Sequence, residues 1–139
     1  MGAKKKLRQF AELNTFENVI QVGYHEIVSA DKFRYSGRWA KDVFSNDRAI
    51  SLELGCGKGE YSLGLARFFP ERNFIGVDIK GARIWRGAKT AIEEKIDNVR
   101  FLRSRIDFIE RIFDKNRLYN GFHYKIRPHF FYRIPVRFP

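Results

Sequence analysis

The stretch Glu53-Leu-Gly-Cys-Gly-Lys-Gly59 follows a short apolar segment at residues 49–54 and precedes a segment with helical periodicity. Glycines between a strand and a helix allow a tight turn and let a ligand approach the backbone without meeting a Cβ. The spacing is Gly-x-Gly-x-Gly, which differs from the dinucleotide fingerprint and lacks the Gly-Lys-Ser/Thr ending of a P-loop. No Ser or Thr follows Lys58 to hold magnesium, so the pattern argues against nucleotide hydrolysis.

Two carboxylates stand at either side of this glycine loop. Glu53 stands two residues before Gly55, where it would repel a pyrophosphate and attract an ammonium group. Asp78 stands at the expected end of the next strand, where a carboxylate accepts hydrogen bonds from both hydroxyls of a ribose. Together they fit S-adenosylmethionine better than NAD. The alternative is a helix cap at Asp78 and a simple tight turn at the glycines.

The segment around the loop alternates strand-like and helix-like patterns. Strands are predicted at 49–54, 73–78 and 99–102, and helices directly after the loop, at 82–95 and at 106–113. Two of these helices have apolar stripes, expected to face the core: Tyr61, Leu65, Phe68 and Phe69 in the first, and Ile84, Ala88, Ile92 and Ile96 in the second. Such alternation implies crossover connections, so the fold class is α/β with a parallel sheet.

The first 48 residues show no clean period and are expected to form a basic leader. Its aromatic residues either anchor the leader on the core or offer Tyr35 or Trp39 as a stacking surface for unpaired bases; the group is Phe33, Tyr35, Trp39 and Phe44. The start of the leader is expected to be a mobile arm, with basic residues Lys4, Lys5, Lys6 and Arg8.

Composition favours a polyanionic partner. The chain has 27 Lys plus Arg against 16 Asp plus Glu, a formal net charge of +11 and a pI near 10.0; the alternative is a merely soluble basic protein. The lone Cys56 excludes an internal disulfide framework, and the three histidines have no metal-ligand spacing, so no metal is expected. No apolar run is long enough for a membrane span, and a reducing cytoplasm is the expected location.

Three stretches resemble bacterial tRNA (guanine-N(7)-)-methyltransferases: Glu53-Leu-Gly-Cys-Gly-Lys-Gly-Glu60, Phe74-Ile-Gly-Val-Asp-Ile-Lys-Gly-Ala-Arg83 and Asn98-Val-Arg-Phe-Leu-Arg103. The resemblance covers roughly residues 7–113. It implies a Rossmann-like, class I S-adenosylmethionine-dependent methyltransferase that modifies a guanine in the tRNA variable loop.

The resemblance also implies roles for individual residues. Glu53 and Gly55 would lie at the methionine end of the cofactor and Asp78 at its ribose, and Gly57 would be a further cofactor-binding residue. Arg105 stands where many members have an acidic residue near the adenine, and Ile106 would cover an adenine face. The charge pattern itself, apart from the resemblance, suggests residues of the leader and the second helix that would follow tRNA phosphates: Lys4, Lys5, Lys6, Arg8, Arg83 and Arg86. The alternative for the helix residues is a solvated face.

The sequence departs from the family after about residue 113. Family members continue with a fourth strand ending in Phe-Pro-Asp-Pro, whose Asp lies in the active site. Residues 117–139 instead contain seven Phe or Tyr, five Lys or Arg and no acid, with prolines that break regular elements. The expectation is a chain divided at 1–48, 49–116 and 117–139, whose tail is out-of-frame or aberrant, with only the N-terminal half of the sheet present.

On that expectation, the strand at 49–54 has an unpaired edge, cofactor binding is weak, catalysis is slight and no catalytic residue is assigned. One alternative makes the tail a native aromatic-basic RNA arm. Two alternative functions remain: a non-catalytic RNA-binding remnant, and a methyltransferase of another substrate.

Overall fold

A computed structural model describes residues 2–114 and the backbone of residues 123–126. The helices, in chain order, are α1 (Gly2–Leu13), α2 (Tyr24–Ser29), α3 (Trp39–Phe44), α4 (Glu60–Phe68), α5 (Gly81–Glu93) and α6 (Ile109–Ile112), the last preceded by a 3-10 turn at Ile106–Phe108. The strands are β1 (Val19–Gln21), β2 (Ile50–Leu54), β3 (Asn73–Asp78), β4 (Val99–Arg103) and β5 (His123–Ile126).

The five strands form one parallel sheet in the order β1-β4-β3-β2-β5. The chain moves outward from β2 through β3 to β4 and then crosses back to the other side of β2. The strand order therefore reverses at β2, and ligands of open α/β sheets bind beyond the strand carboxyl ends at such a point. We call the side of the sheet where β2, β3 and β4 end the carboxyl edge.

The predicted α/β fold with a parallel sheet is confirmed. The strands expected at 49–54, 73–78 and 99–102 are β2, β3 and β4, with bounds that differ by at most one residue. Their runs are recognisable because nearly every residue of β2 and β3 is buried, as is typical of parallel strands covered on both faces.

The leader packs on the domain, and the segment expected to be a basic arm is helical in the described residues. The basic residues at its start belong to α1, whose Leu13 is buried against α5 and the sheet. The strand β1 then pairs in parallel with β4, from Val19↔Phe101 to Gln21↔Arg103. Packing of one helical end and pairing of one short strand together order a segment that has no clear period of its own.

The aromatic residues of the leader anchor it on the core. Trp39 is 2% exposed; its ring stacks on Phe113 at 4.5 Å between centroids, and its Nε1–H donates to the Ile112 carbonyl at 3.1 Å. Phe33 is also buried, and Tyr35 packs against Trp39 with ring centroids 5.4 Å apart. The anchoring interpretation is therefore the one observed, and Trp39 presents no open ring face to a base.

The expectation that β2 has an unpaired edge is wrong, because β5 pairs with it in parallel from Ser51↔His123 to Leu54↔Ile126. The sheet therefore extends to both sides of β2. The expectation of no regular element within 117–139 is likewise wrong for residues 123–126. The remaining expectations about the tail concern 117–122 and 127–139, which lie outside the described residues.

The predicted buried face of α4 is also wrong. Its buried residues are Ser62, Leu63 and Ala66, whereas Phe68 is 77% exposed. The face with Ser62, Leu63 and Ala66 lies against the core. Of the predicted stripe, Leu65 packs partly against the core, and the aromatic residues are exposed. Likewise α5 buries Ala91 rather than Ile92, which is 48% exposed.

Candidate functional site

The glycine loop between β2 and α4 requires glycine for its backbone conformation. Gly55, Gly57 and Gly59 have φ values of 74°, 57° and 71°, in the left-handed region that other residues rarely adopt. The N–H groups of Gly55 and Cys56 both donate to the Val77 carbonyl, at 2.8 and 2.9 Å. The loop is therefore tight, as predicted, and it is anchored across the carboxyl edge to the end of β3.

Asp78 fastens three elements at this edge and is only 7% exposed. Its Oδ2 accepts a hydrogen bond from the Gly57 N–H and its Oδ1 accepts one from the Lys80 N–H, each at 2.9 Å. The Ser104 N–H donates to its backbone carbonyl at 3.1 Å. Because an ionised carboxylate has about four acceptor sites, these two bonds leave acceptor capacity for ligand hydroxyls. Asp78 thus joins the glycine loop to the residues before α5 and retains acceptor capacity at the carboxyl edge.

Glu53 lies at the opposite side of the loop, near the end of β2, and is 5% exposed. Its Oε2 accepts hydrogen bonds from the Ser62 hydroxyl at 2.6 Å and from the Ser62 N–H at 3.1 Å. Sequence reasoning missed Ser62. The available signal was a serine in the first turn of the helix that follows the loop, where a hydroxyl commonly finds an acidic or backbone partner.

The ring of Phe101, on β4, fills the space beneath the glycine loop. An ideal Cβ on Gly59, Gly76 or Gly87 would lie 2.4, 3.1 or 2.9 Å from a carbon of that ring. A Cβ on Gly87 would also lie 2.6 Å from the Lys58 carbonyl oxygen, so α5 touches the loop backbone there. Gly76 and Gly87 lie outside the loop motif, and sequence reasoning missed both of them and their common neighbour.

Arg105 and Ile106 follow the end of β4, adjacent in the chain to the Ser104 that contacts Asp78. The Arg105 side chain is mostly exposed and forms an ion pair with Asp107 at 2.5 Å. Ile106 is half-buried and packs against the cluster that contains Leu54 and Val77. Both residues therefore follow closely after the end of β4, and Arg105 is paired with a carboxylate of the 3-10 turn that comes next in the chain.

The basic residues predicted to contact RNA are exposed and lie on two adjacent helices. Lys4, Lys5, Lys6 and Arg8 are on α1, and Arg83 and Arg86 are on α5. Arg8 also forms an exposed ion pair with Glu12 at 2.8 Å.

The packing of α1 on α5 fixes the direction of the basic helix. A Cβ on Gly81 would lie 2.6 Å from the Phe10 ring, and Trp85 Nε1–H donates to Glu12 Oε2 at 2.8 Å. Both helices therefore run in the same direction, with residue 10 opposite the first residue of α5. At 1.5 Å per residue, Lys4 lies about 9 Å further along, on the side of the carboxyl edge.

Within the part of the chain that the structure describes, no helix is long and apolar enough to cross a membrane. The same residues contain no group of three or more His, Cys, Asp or Glu placed to hold a metal ion.

Comparison with known proteins gives a consistent result. A family described as putative methyltransferase matches residues 47–130. The chain is 55% identical over 118 residues to a tRNA (guanine-N(7)-)-methyltransferase of Christiangramia forsetii, covering 85% of this chain and 52% of that protein. It is 46% identical over 110 residues to the protein of the same name from Bacteroides fragilis, covering 79% and 43%. The chain spans about half the length of the curated relatives it matches.

Among solved structures, the chain is similar to PKMT2 from Rickettsia typhi in complex with AdoHcy, with 35% identity, coverage of 45% of this chain and 12% of that chain, and a TM-score of 0.42. That similarity is too low to support a conclusion.

Proposed function

The chain belongs to the putative methyltransferase family, and from this premise we propose that it binds S-adenosylmethionine and serves in the methylation of a guanine N7 in tRNA. The names of its relatives support the choice of tRNA guanine over other methyl acceptors. A cytoplasmic location, expected from the sequence, is part of the same proposal.

One observation carries the cofactor assignment: two buried carboxylates flank a glycine loop of positive φ at the carboxyl edge. In this proposal Asp78 accepts hydrogen bonds from the ribose hydroxyls, and Glu53 meets the ammonium of the amino-acid end; their burial beside the glycine loop supports these roles. The left-handed glycines keep the loop surface free of Cβ atoms where the ligand would lie. When bound, the cofactor supplies an electrophilic methyl group on a sulfonium.

The reaction depends mainly on how the methyl group and the acceptor nitrogen are positioned relative to each other. The N7 of guanine carries a lone pair and no proton, so no general base is needed to generate the nucleophile. An in-line arrangement of acceptor and methyl group supplies most of the rate, and the guanine must be unstacked to reach it. The part proposed for the described residues is therefore to hold and orient the cofactor, and we assign no catalytic residue.

Binding of S-adenosylhomocysteine, measured by calorimetric titration, tests the cofactor assignment. Asp78→Ala should weaken binding about tenfold or more, because hydrogen bonds to a charged acceptor are lost. Asp47→Ala is the matched control, since Asp47 is exposed and lies in the loop before β2. A wild-type chain that does not bind, or an Asp78→Ala variant that binds like the control, would contradict the assignment.

The methyl acceptor is tested separately, with radiolabelled S-adenosylmethionine and unmodified tRNA. Label should appear at guanine N7, which is detected by cleavage of the RNA at the modified base. Label at another position or only in protein would favour a methyltransferase of another substrate.

A non-catalytic RNA-binding role is the second candidate, favoured by the exposed basic residues of α1. That role predicts tRNA binding with a steep salt dependence that Asp78→Ala leaves unchanged, together with no methyl transfer.

A further inference from the structure

Ser62, in the first turn of α4, donates two hydrogen bonds to a side chain of the preceding strand. It is 2% exposed, and both its hydroxyl and its backbone N–H donate to the same oxygen, Oε2 of Glu53, at 2.6 and 3.1 Å. A serine at such a position usually bonds to its own turn. Here its hydroxyl reaches across to the preceding strand, and the acceptor is a charged group, which makes the bond short and strong.

The N–H of Ser62 is also one of the first N–H groups of α4, which have no partner within the helix. Gly59, at the start of this helix, has no side chain to satisfy them. Glu53 therefore accepts a bond that a capping side chain would otherwise accept, and its negative charge lies at the positive end of α4. Ser62 thus contributes two donors to this carboxylate.

We propose that Ser62 is a positioning residue that orients Glu53 toward the amino-acid end of the cofactor; this inference rests on the proposed function. A buried carboxylate needs donors to remain both charged and ordered. Two donors on Oε2 hold the carboxylate plane in one orientation relative to the glycine loop. The ammonium of the ligand then meets a charge that does not need to be reoriented on binding.

Two ligands separate this role from a structural one. S-adenosylhomocysteine has the amino-acid end, and 5′-methylthioadenosine shares the adenosine but lacks that end. Ser62→Ala should weaken the first about tenfold or more, because a hydrogen bond to a charged group is lost, and the second less than about twofold. Ser62→Thr retains the hydroxyl and should retain the preference for the first ligand. Asp78→Ala, by contrast, should weaken both.

A double-mutant cycle with Glu53→Gln shows whether Ser62 acts through Glu53. If it does, the variant with both changes should bind S-adenosylhomocysteine about as weakly as Glu53→Gln alone. Additive losses would overturn the inference, and so would equal losses for the two ligands in Ser62→Ala. A wild-type chain that binds neither ligand would defeat the proposed function itself. A wild-type chain that binds normally, with an unaffected Ser62→Ala variant, would defeat only the role of Ser62.

Discussion

At the scale of single residues, the Phe101 ring explains why glycine occurs outside the loop motif. Gly59, Gly76 and Gly87 come from a loop, a strand and a helix, and at each of them the Phe101 ring occupies space close to where a Cβ would lie. A ring of this size fills a close-packed interior only where its neighbours are small. The glycine loop is therefore supported from beneath by packing as well as by hydrogen bonds.

Gly87→Ala should destabilise the fold and weaken cofactor binding. The new Cβ would lie 2.6 Å from the Lys58 carbonyl oxygen, a backbone atom that cannot move without shifting the loop. Overpacking of this kind costs about 1–3 kcal/mol of unfolding free energy, which urea titration measures.

The matched control is Gly64→Ala on α4, where a Cβ meets nothing within 4 Å. Removing a glycine from an exposed helical position should stabilise the protein, by about 0.5–1 kcal/mol. Equal effects of the two substitutions would show that Phe101 and Lys58 do not restrict position 87.

The features that could be predicted from the sequence are those specified by neighbouring residues in the chain. The loop glycines, Glu53 and Asp78 could be predicted because the conformation and charge that they need are specified within one strand-loop-helix unit. Gly87 and Ser62 could not, because their partners Phe101 and Glu53 are identified only by packing across the sheet. The resemblance to tRNA (guanine-N(7)-)-methyltransferases was likewise carried by local stretches and is confirmed by the comparisons.

At the scale of elements, the central strands are specified by their local sequence, whereas the leader is ordered by its packing on the rest of the domain. β2, β3 and β4 are continuous apolar runs with breaks at each end, so their existence follows from composition. β1 has only three residues, and most of α1 is exposed, so neither gives a clear period. In α4, Tyr61, Leu65 and Phe68 have the spacing of a buried apolar stripe. The buried face is instead the one with Ser62 and Ala66, whose small side chains allow the helix to approach the sheet closely.

The contact between α1 and α5 should depend on pH through Glu12. Hydrogen bonds from Arg8 and then Trp85 lower the pKa of Glu12 below its ordinary value of 4.5, against the opposing effect of burial. A carboxyl with a depressed pKa stabilises the fold above its unfolded pKa, and this contribution is lost as pH falls through the folded pKa. Glu12→Gln should therefore be less stable than the wild type near about pH 7, and the difference should vanish near about pH 3.

Urea unfolding at the two pH values measures this difference. Glu93→Gln on the exposed part of α5 is the control and should show little difference at either pH. A deficit in Glu12→Gln that persists unchanged in acid would mean that the ionised form of Glu12 is not what stabilises the contact with Trp85.

At the scale of the whole molecule, the sheet separates two layers of the leader and the helices. The helices α1 and α5 cover one face, with a core cluster that includes Leu13, Ile84 and Phe101. The segment of Phe33 and α3 covers the other face, with the cluster of Trp39 and Leu52. The lysines of α1 are carried toward the carboxyl edge, on the side where an RNA acceptor would have to approach.

The direction of α1 leads to a prediction about tRNA binding. The double variant Lys5→Ala/Lys6→Ala should bind tRNA more weakly and should show a shallower dependence of log K on log salt. Each lost phosphate contact reduces that slope by about 0.7–0.9. Binding of S-adenosylhomocysteine should stay unchanged, because Lys5 and Lys6 are exposed on α1, whereas Glu53 and Asp78 are buried beside the glycine loop.

Lys32→Ala/Lys41→Ala is the matched control, since it removes the same charge from exposed positions on the opposite face of the sheet. If only the net charge of +11 attracted tRNA, both double variants would lose affinity and slope equally. If the phosphates follow a defined path past the carboxyl edge, the α1 variant should lose more affinity and more of the salt-dependence slope than the control. The comparison therefore decides between general attraction and an oriented RNA surface, because the two variants carry the same total charge.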